Sequence, residues 1–112
     1  MSDLHTLYDE AEALKDAGNL DEAIAKLNEI VEQDDNFVLA HLTLAVVYGR
    51  ANRHEEAVQH GEKACELEPN EAFNCTAMSV TYQRAFAGTQ NQQYIQMAED
   101  AMAKAHTIQS NG

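Results

Sequence analysis

The side chains of this 112-residue chain that could do chemistry are five histidines, two cysteines and a surplus of carboxylates. His5, His41, His54, His60 and His106 are scattered along the sequence, and none lies four residues from another histidine or from a cysteine. A zinc site on a helix needs such a pair, because residues four apart share a face. Cys65 and Cys75 match no metal-ligand spacing and read as reduced, packed thiols. The runs "DEAEA" (9–13) and "EQDD" (32–35) read as solvated helix faces and caps, not as a catalytic carboxylate pair. There is no glycine-rich phosphate loop and no nucleophile in a recognisable setting. The expectation is a protein that is not an enzyme and needs no metal or other cofactor.

Charge narrows the class of partner. The net charge is −12, and most of it is N-terminal: residues 1–37 carry 11 acids and 2 bases, whereas residues 72–112 carry 2 of each. Such a surface repels phosphate backbones and anionic lipid, so neither nucleic acid nor a membrane surface is the expected partner. No stretch approaches the ~20 apolar residues that span a bilayer. The opening "MSDLHTLYDE" lacks the basic and apolar regions of a secretory signal. With two unpaired cysteines, that predicts a cytoplasmic location.

The elements that would position these residues are helical. Apolar residues recur every three or four positions almost throughout. The spacing predicts helices over about 3–17, 19–33, 37–51, 55–67, 71–87 and 93–108. Gly18 is suited to a left-handed cap, and Asn19 with Glu22 has capping-box spacing. The inward faces are Leu4, Leu7, Ala11 and Leu14; Leu20, Ala23, Leu27, Ile30 and Val31; Val38, His41, Leu44, Ala45 and Tyr48; and Ala57, Gly61, Ala64 and Cys65. The last two are Ala72, Cys75, Met78 and Tyr82, then Ile95, Ala98, Met102 and Ala105. Gly61 stands where the equivalent positions hold Leu27 and Met102, so the imidazole of His41 is expected to pack over it. The alternative there is a small pocket.

The helices pair, and the pairs repeat. "NLDEAIAKLNEIVEQDDN" from Asn19 and "RHEEAVQHGEKACELEPN" from Arg53 start 34 residues apart and align Glu22 with Glu56 and Ala23 with Ala57. A helix pair of that length cannot bury its apolar face alone, so copies stack. The chain resembles the tetratricopeptide repeat family. Leu44, Ala45, Tyr48, Ala57, Ala64 and Pro69 carry its pattern in the second repeat, Ala11, Gly18 and Ala23 in the first, and Ser79, Tyr82, Ala98 and Ala105 in the third. The first repeat departs from it with Leu14 and Asp35 in place of the aromatic and the proline. The resemblance implies an all-α fold of three helix-turn-helix repeats, six helices in all, stacked as a right-handed superhelix. It forms one domain with repeats near 4–37, 38–71 and 72–108 and an extended connection near 86–93.

The resemblance also implies a protein-interaction module whose first helices line a concave groove. That face maps to His5, Tyr8, Glu12, Lys15 and Asp16, then Leu39, Leu42, Val46 and Arg50, then Phe73, Thr76, Val80 and Arg84. The expected partner is a peptide or amphipathic helix of another protein, either basic or amphipathic and apolar in character. Family members that clamp a terminal carboxylate do so with Lys, Asn and Arg; Tyr8, Glu12, Thr43, Phe73 and Ala77 stand at those positions here, so this is not a carboxylate clamp. The alternative reading is a structural protein. Tyr94, Met97, Ala101 and Ile108 form an apolar stripe on the last helix that would join two copies in a homodimer.

Overall fold

The computed structural model describes residues 3–111. The apolar periodicity is realised as six helices: α1 (Leu4–Asp16), α2 (Leu20–Gln33), α3 (Val38–Arg50), α4 (His54–Leu67), α5 (Ala72–Thr89) and α6 (Gln93–Asn111). No strand occurs among the described residues.

Helix ends explain the repeat of the turns. Asp3 caps α1 by accepting from the Thr6 amide at 2.8 Å. At the other end Gly18 takes φ +82°, with its N–H on Lys15 O at 3.0 Å and the Asn19 N–H on Leu14 O at 2.9 Å. This paired closure satisfies two otherwise orphaned carbonyls. Asn52, 34 residues later, repeats it at φ 64°: its N–H reaches Gly49 O at 3.2 Å, and that of Arg53 reaches Tyr48 O at 2.8 Å. Asparagine tolerates the left-handed region well enough to replace glycine there. The capping box expected at Asn19 does not form, since its side chain makes no cap bond. Its N–H is already committed to the end of α1.

The third hairpin departs from the other two. The polar break expected from Gly88 begins two residues later and is confined to Gln90–Gln92, because α5 continues to Thr89 and stops where Gln90 turns left-handed at φ 62°. The Thr89 hydroxyl donates back to Ala85 O at 2.7 Å. Gly88 permits this extension, since a Cβ there would collide with the imidazole of His54 at the start of α4. Both ring nitrogens of His54 are buried without a hydrogen-bond partner among the described residues.

Packing forms two connected cores. The first joins hairpins α1–α2 and α3–α4 through Leu7, Ala11, Ala23, Ile24, Leu27, Ile30, Ala40, Leu44, Val47, Tyr48 and Ala57. The second holds α5 and α6 against α4 through Val58, Met78, Tyr82, Ala85 and Ala98. Alanines at the closest approaches let helix axes draw together, while Leu27, Ile30 and Leu44 are among the largest fully buried side chains.

The space at Gly61 is filled from a direction the sequence did not indicate. A Cβ on Gly61 would run into Sδ of Met78 on α5 and would lie 3.8 Å from Cβ of Ala45. Met78 therefore locks the third hairpin onto the second. His41 turns elsewhere. Its Nε2 lies 2.8 Å from Asp35 O and its Nδ1 lies 3.0 Å from Nδ1 of His60. A carbonyl can only accept, so Nε2 of His41 is the donor, and one proton is shared between the two Nδ1 atoms. The His60 ring also stacks on Tyr48 with centroids 5.6 Å apart, and the Arg53 guanidinium covers the Tyr48 ring at 4.8 Å. Tyr48 is tied to the first hairpin by Asn28, whose Nδ2 donates to its hydroxyl at 3.2 Å. Burial, with His41 alongside, pushes the His60 pKa down to about 4.

A candidate binding surface between α3 and α5

Within the stack, α3 lies against α5 and, more lightly, against α1. On α3 the residues Leu39, Leu42 and Val46 fall three and four apart, so they line one side of the helix. On α5 the corresponding side carries Phe73, Thr76, Ala77, Val80 and Arg84. Leu42, Val46, Phe73, Thr76, Val80 and Arg84 meet around a cleft of about 260 Å³ whose floor is Ala45, Gly61 and Met78. A broader cleft of about 800 Å³ adjoins it, sharing Leu42 and Phe73 and adding Leu4, Phe37 and Leu39. The two make one continuous apolar trough. Its side chains are open to solvent: Phe73 is 65% exposed, Leu39 49% and Val80 43%. Isolated exposed apolar residues are ordinary; here they form a contiguous row with charged ends.

The ends differ in charge. Asp34, Glu68 and Glu71 border the broad cleft, together with His5, Asn36 and Asn74. Arg84 closes the narrow end, its Cδ close to Gly49. Arg50 is exposed at the end of α3 and does not line either cleft.

Two residues expected in the groove are occupied elsewhere. The Tyr8 hydroxyl donates to Glu12 Oε1 at 2.7 Å, and the Thr43 hydroxyl lies 2.9 Å from Tyr8 and 3.1 Å from the same carboxylate oxygen. Lys15 bonds the other oxygen of Glu12 at 2.8 Å. Burial and the adjacent Glu12 push the Tyr8 pKa up to about 12. Burial would raise Glu12 as well, but its bonds to Lys15, Tyr8 and Thr43 outweigh that and hold its carboxyl below the usual range. Tyr8 and Glu12 thus pin α1 to α3 and are not bordering the trough. Their partner Thr43 is invisible to periodicity, because no pattern announces a hydroxyl between two helices.

The stripe expected to join two copies is also turned inward. Tyr94, Met97 and Ala101 are half-buried against Val58, Met78 and Tyr82. The Tyr82 and Tyr94 rings stack with centroids 6.1 Å apart. Ile108 is half-buried further along α6. Instead Ile95 and Met102, expected to face the core, are 41% and 48% exposed and border a cleft with Ser79, Gln83, Phe86, Ala98 and Glu99. The helix is rotated by about one position because Tyr94, Met97, Ala98, Ala101 and Ala105 make a full stripe at three- and four-residue spacing.

Among the described residues, no three or more His, Cys, Asp or Glu side chains are placed to hold a metal. Cys65 donates its thiol weakly to Asn74 O at 3.7 Å, and burial with Cys75 alongside pushes its pKa up to about 11. So high a value leaves almost no thiolate for nucleophilic or redox work at neutral pH. Among the described residues, no helix is long and apolar enough to cross a membrane.

Stacked helix hairpins without strands define an αα-solenoid. The tetratricopeptide repeat family matches residues 39–71, which are α3, α4 and the turns after them. The chain has the stacked-hairpin fold of tetratricopeptide-repeat proteins, and its second hairpin matches the model of that repeat. The whole chain superposes on the crystal structure of MamA with a TM-score of 0.80 at 17% identity, covering 96% of this chain and 59% of that one. It superposes on "MamA 41-end from Desulfovibrio magneticus RS-1" with a TM-score of 0.76 at 19% identity, covering 98% and 58%. The chain therefore spans under two thirds of the length of these structural relatives. No curated protein matches it.

Proposed function

We propose that the protein is an interaction module that holds a segment of another protein in the trough between α3 and α5. The observation that carries this reading is the row of exposed Leu39, Phe73 and Val80 with half-buried Leu42, which two stacked first helices place side by side. Burying such a row on a partner returns roughly 25 cal/mol for each Å² removed from water, and Leu39, Phe73 and Val80 are left exposed by the other described residues. The proposed mechanism is binding without catalysis. A terminal carboxylate is not the ligand: Tyr8, Glu12 and Thr43 are bonded to one another, and Phe73 and Ala77 offer no donor. The test is capture of binding proteins by the wild type beside a Leu42→Asp, Phe73→Asp double variant of unchanged helicity. The reading requires loss of capture by the variant; equal capture by both contradicts it.

Self-association is the second reading, favoured by the exposed pair Ile95 and Met102 on α6. Light scattering during gel filtration decides it. A dimer that Met102→Asp dissolves supports it, and a 12.4 kDa species at every concentration removes it.

A further inference from the structure

The trough is electrically polar along its length, and this restricts what can lie in it. At the start of α3 and α5 it is bordered by Asp34, Glu68 and Glu71. Each has one oxygen engaged within the protein: Asp34 Oδ1 accepts from the Asn36 amide, Glu68 Oε1 from Asn74 Nδ2, and Glu71 Oε1 from the Phe73 amide. None has a cationic partner among the described residues. Other carboxylates nearby are neutralised, as Asp35 is by Lys63 at 3.2 Å. Arg84 stands at the opposite end and forms no ion pair among the described residues. Phe73 and Arg84 are three helical turns apart on α5, about 16 Å along the axis.

We infer that the occupant is a partner segment with an apolar row about 16 Å long, a lysine or arginine at the Asp34–Glu68–Glu71 end and an aspartate or glutamate at the Arg84 end. This rests on the trough being the binding surface, and it adds the orientation and chemical character of what lies there. Apolar contacts along Leu42, Val46, Phe73 and Val80 supply attachment, and the opposed charges select one direction of the segment. A segment laid in reverse places like charges against each other at both ends, which is how charged rims reject wrong registers.

A displayed library of random peptides, selected on the intact protein, tests this. Enriched peptides are expected to carry a base at one end of an apolar row and an acid at the other. A synthetic peptide of the enriched sequence should bind the Glu68→Gln, Glu71→Gln variant about ten-fold more weakly at low ionic strength, with the gap closing in high salt. Glutamine at 71 keeps the oxygen that caps α5, so the variant removes charge and leaves the fold. A nitroxide at the basic end of the peptide should broaden amide signals around Glu68–Phe73 and spare those around Arg84. Peptides that depend on Leu42 and Phe73 yet show no charge order, or broaden both ends equally, overturn the inference and leave the trough as the binding surface. Enriched peptides indifferent to Leu42→Asp, Phe73→Asp, or failure to enrich any, overturn the trough reading itself.

Discussion

Gly61 and Met78 form the joint on which the third hairpin depends, and their coupling can be measured. Replacing Gly61 by alanine has two opposed effects. Removing glycine from a helix interior stabilises by roughly 0.5–1 kcal/mol. The added methyl, however, would clash with Met78 Sδ while making ordinary contact with Ala45 Cβ at 3.8 Å. Overpacking of this kind costs about 1–3 kcal/mol, and Met78 is buried in the second core, so the cost wins. The expected net loss is ~1–2 kcal/mol, or a midpoint lowered by roughly 4–8 °C for a chain near this size. Met78→Ala alone should cost about 2–5 kcal/mol through the cavity it leaves. In that background the added methyl has room, and Gly61→Ala should stabilise. The coupling energy is therefore about 1–3 kcal/mol, within the range for residues in contact. Urea unfolding of the four proteins, followed by helical circular dichroism and by Tyr fluorescence, provides the assay. Because stacked repeats can unravel from an end, coincidence of the two probes must be checked. Gly61→Ala stabilising in both backgrounds would refute close packing of Met78 on Gly61.

Three further perturbations follow from the local geometry. His60 has a folded pKa of about 4 against an ordinary value near 6.5, so its contribution is intact above about pH 6.5 and is lost as pH falls through the folded value. Asp35 and Glu56 oppose this shift and His41 reinforces it; with the ring partly solvated, screening reduces the effect to about 1–2 kcal/mol. Wild type should lose that much more stability than His60→Gln between pH 7 and about 4 in matched urea titrations; parallel curves would contradict the buried pair. Thr43→Val removes one bond from the Tyr8–Glu12 cluster and should cost about 1–2 kcal/mol without altering peptide binding, as read by calorimetry beside the melt. Gly18→Ala forces a side chain into the left-handed region and should cost about 1–2 kcal/mol, while Asn52→Gly should be neutral or mildly stabilising in thermal melts.

Six helices, their approximate limits and their pairing were legible because one apolar residue per turn is a strong and local signal. Leu7, Ala11, Ala23, Leu27, Ile30 and Leu44 are buried where periodicity places them. The candidate surface was legible in part, since Leu39, Leu42, Val46, Phe73, Thr76, Val80 and Arg84 do share one trough. Hidden were the contacts between helices distant in sequence. Met78 reaching Gly61, Thr43 bridging Tyr8 and Glu12, and His41 pairing with His60 each depend on rotation about a helix axis, which a repeat pattern fixes only to within one residue. That tolerance explains α6, where two apolar stripes one position apart compete and stacking of Tyr94 on Tyr82 decides between them. The sequence also gave no sign that α5 would run through Gly88, because the reason lies across the hairpin in His54.

The central claim is that the face between α3 and α5 receives the partner. Titrating the isotope-labelled protein with a selected peptide and following backbone amide shifts tests it most directly. Changes are expected to concentrate at Leu39, Leu42, Val46, Phe73, Thr76 and Val80, with α2 and α6 nearly silent. Changes gathered instead around Ile95 and Met102, with Leu42 and Phe73 unmoved, would contradict it.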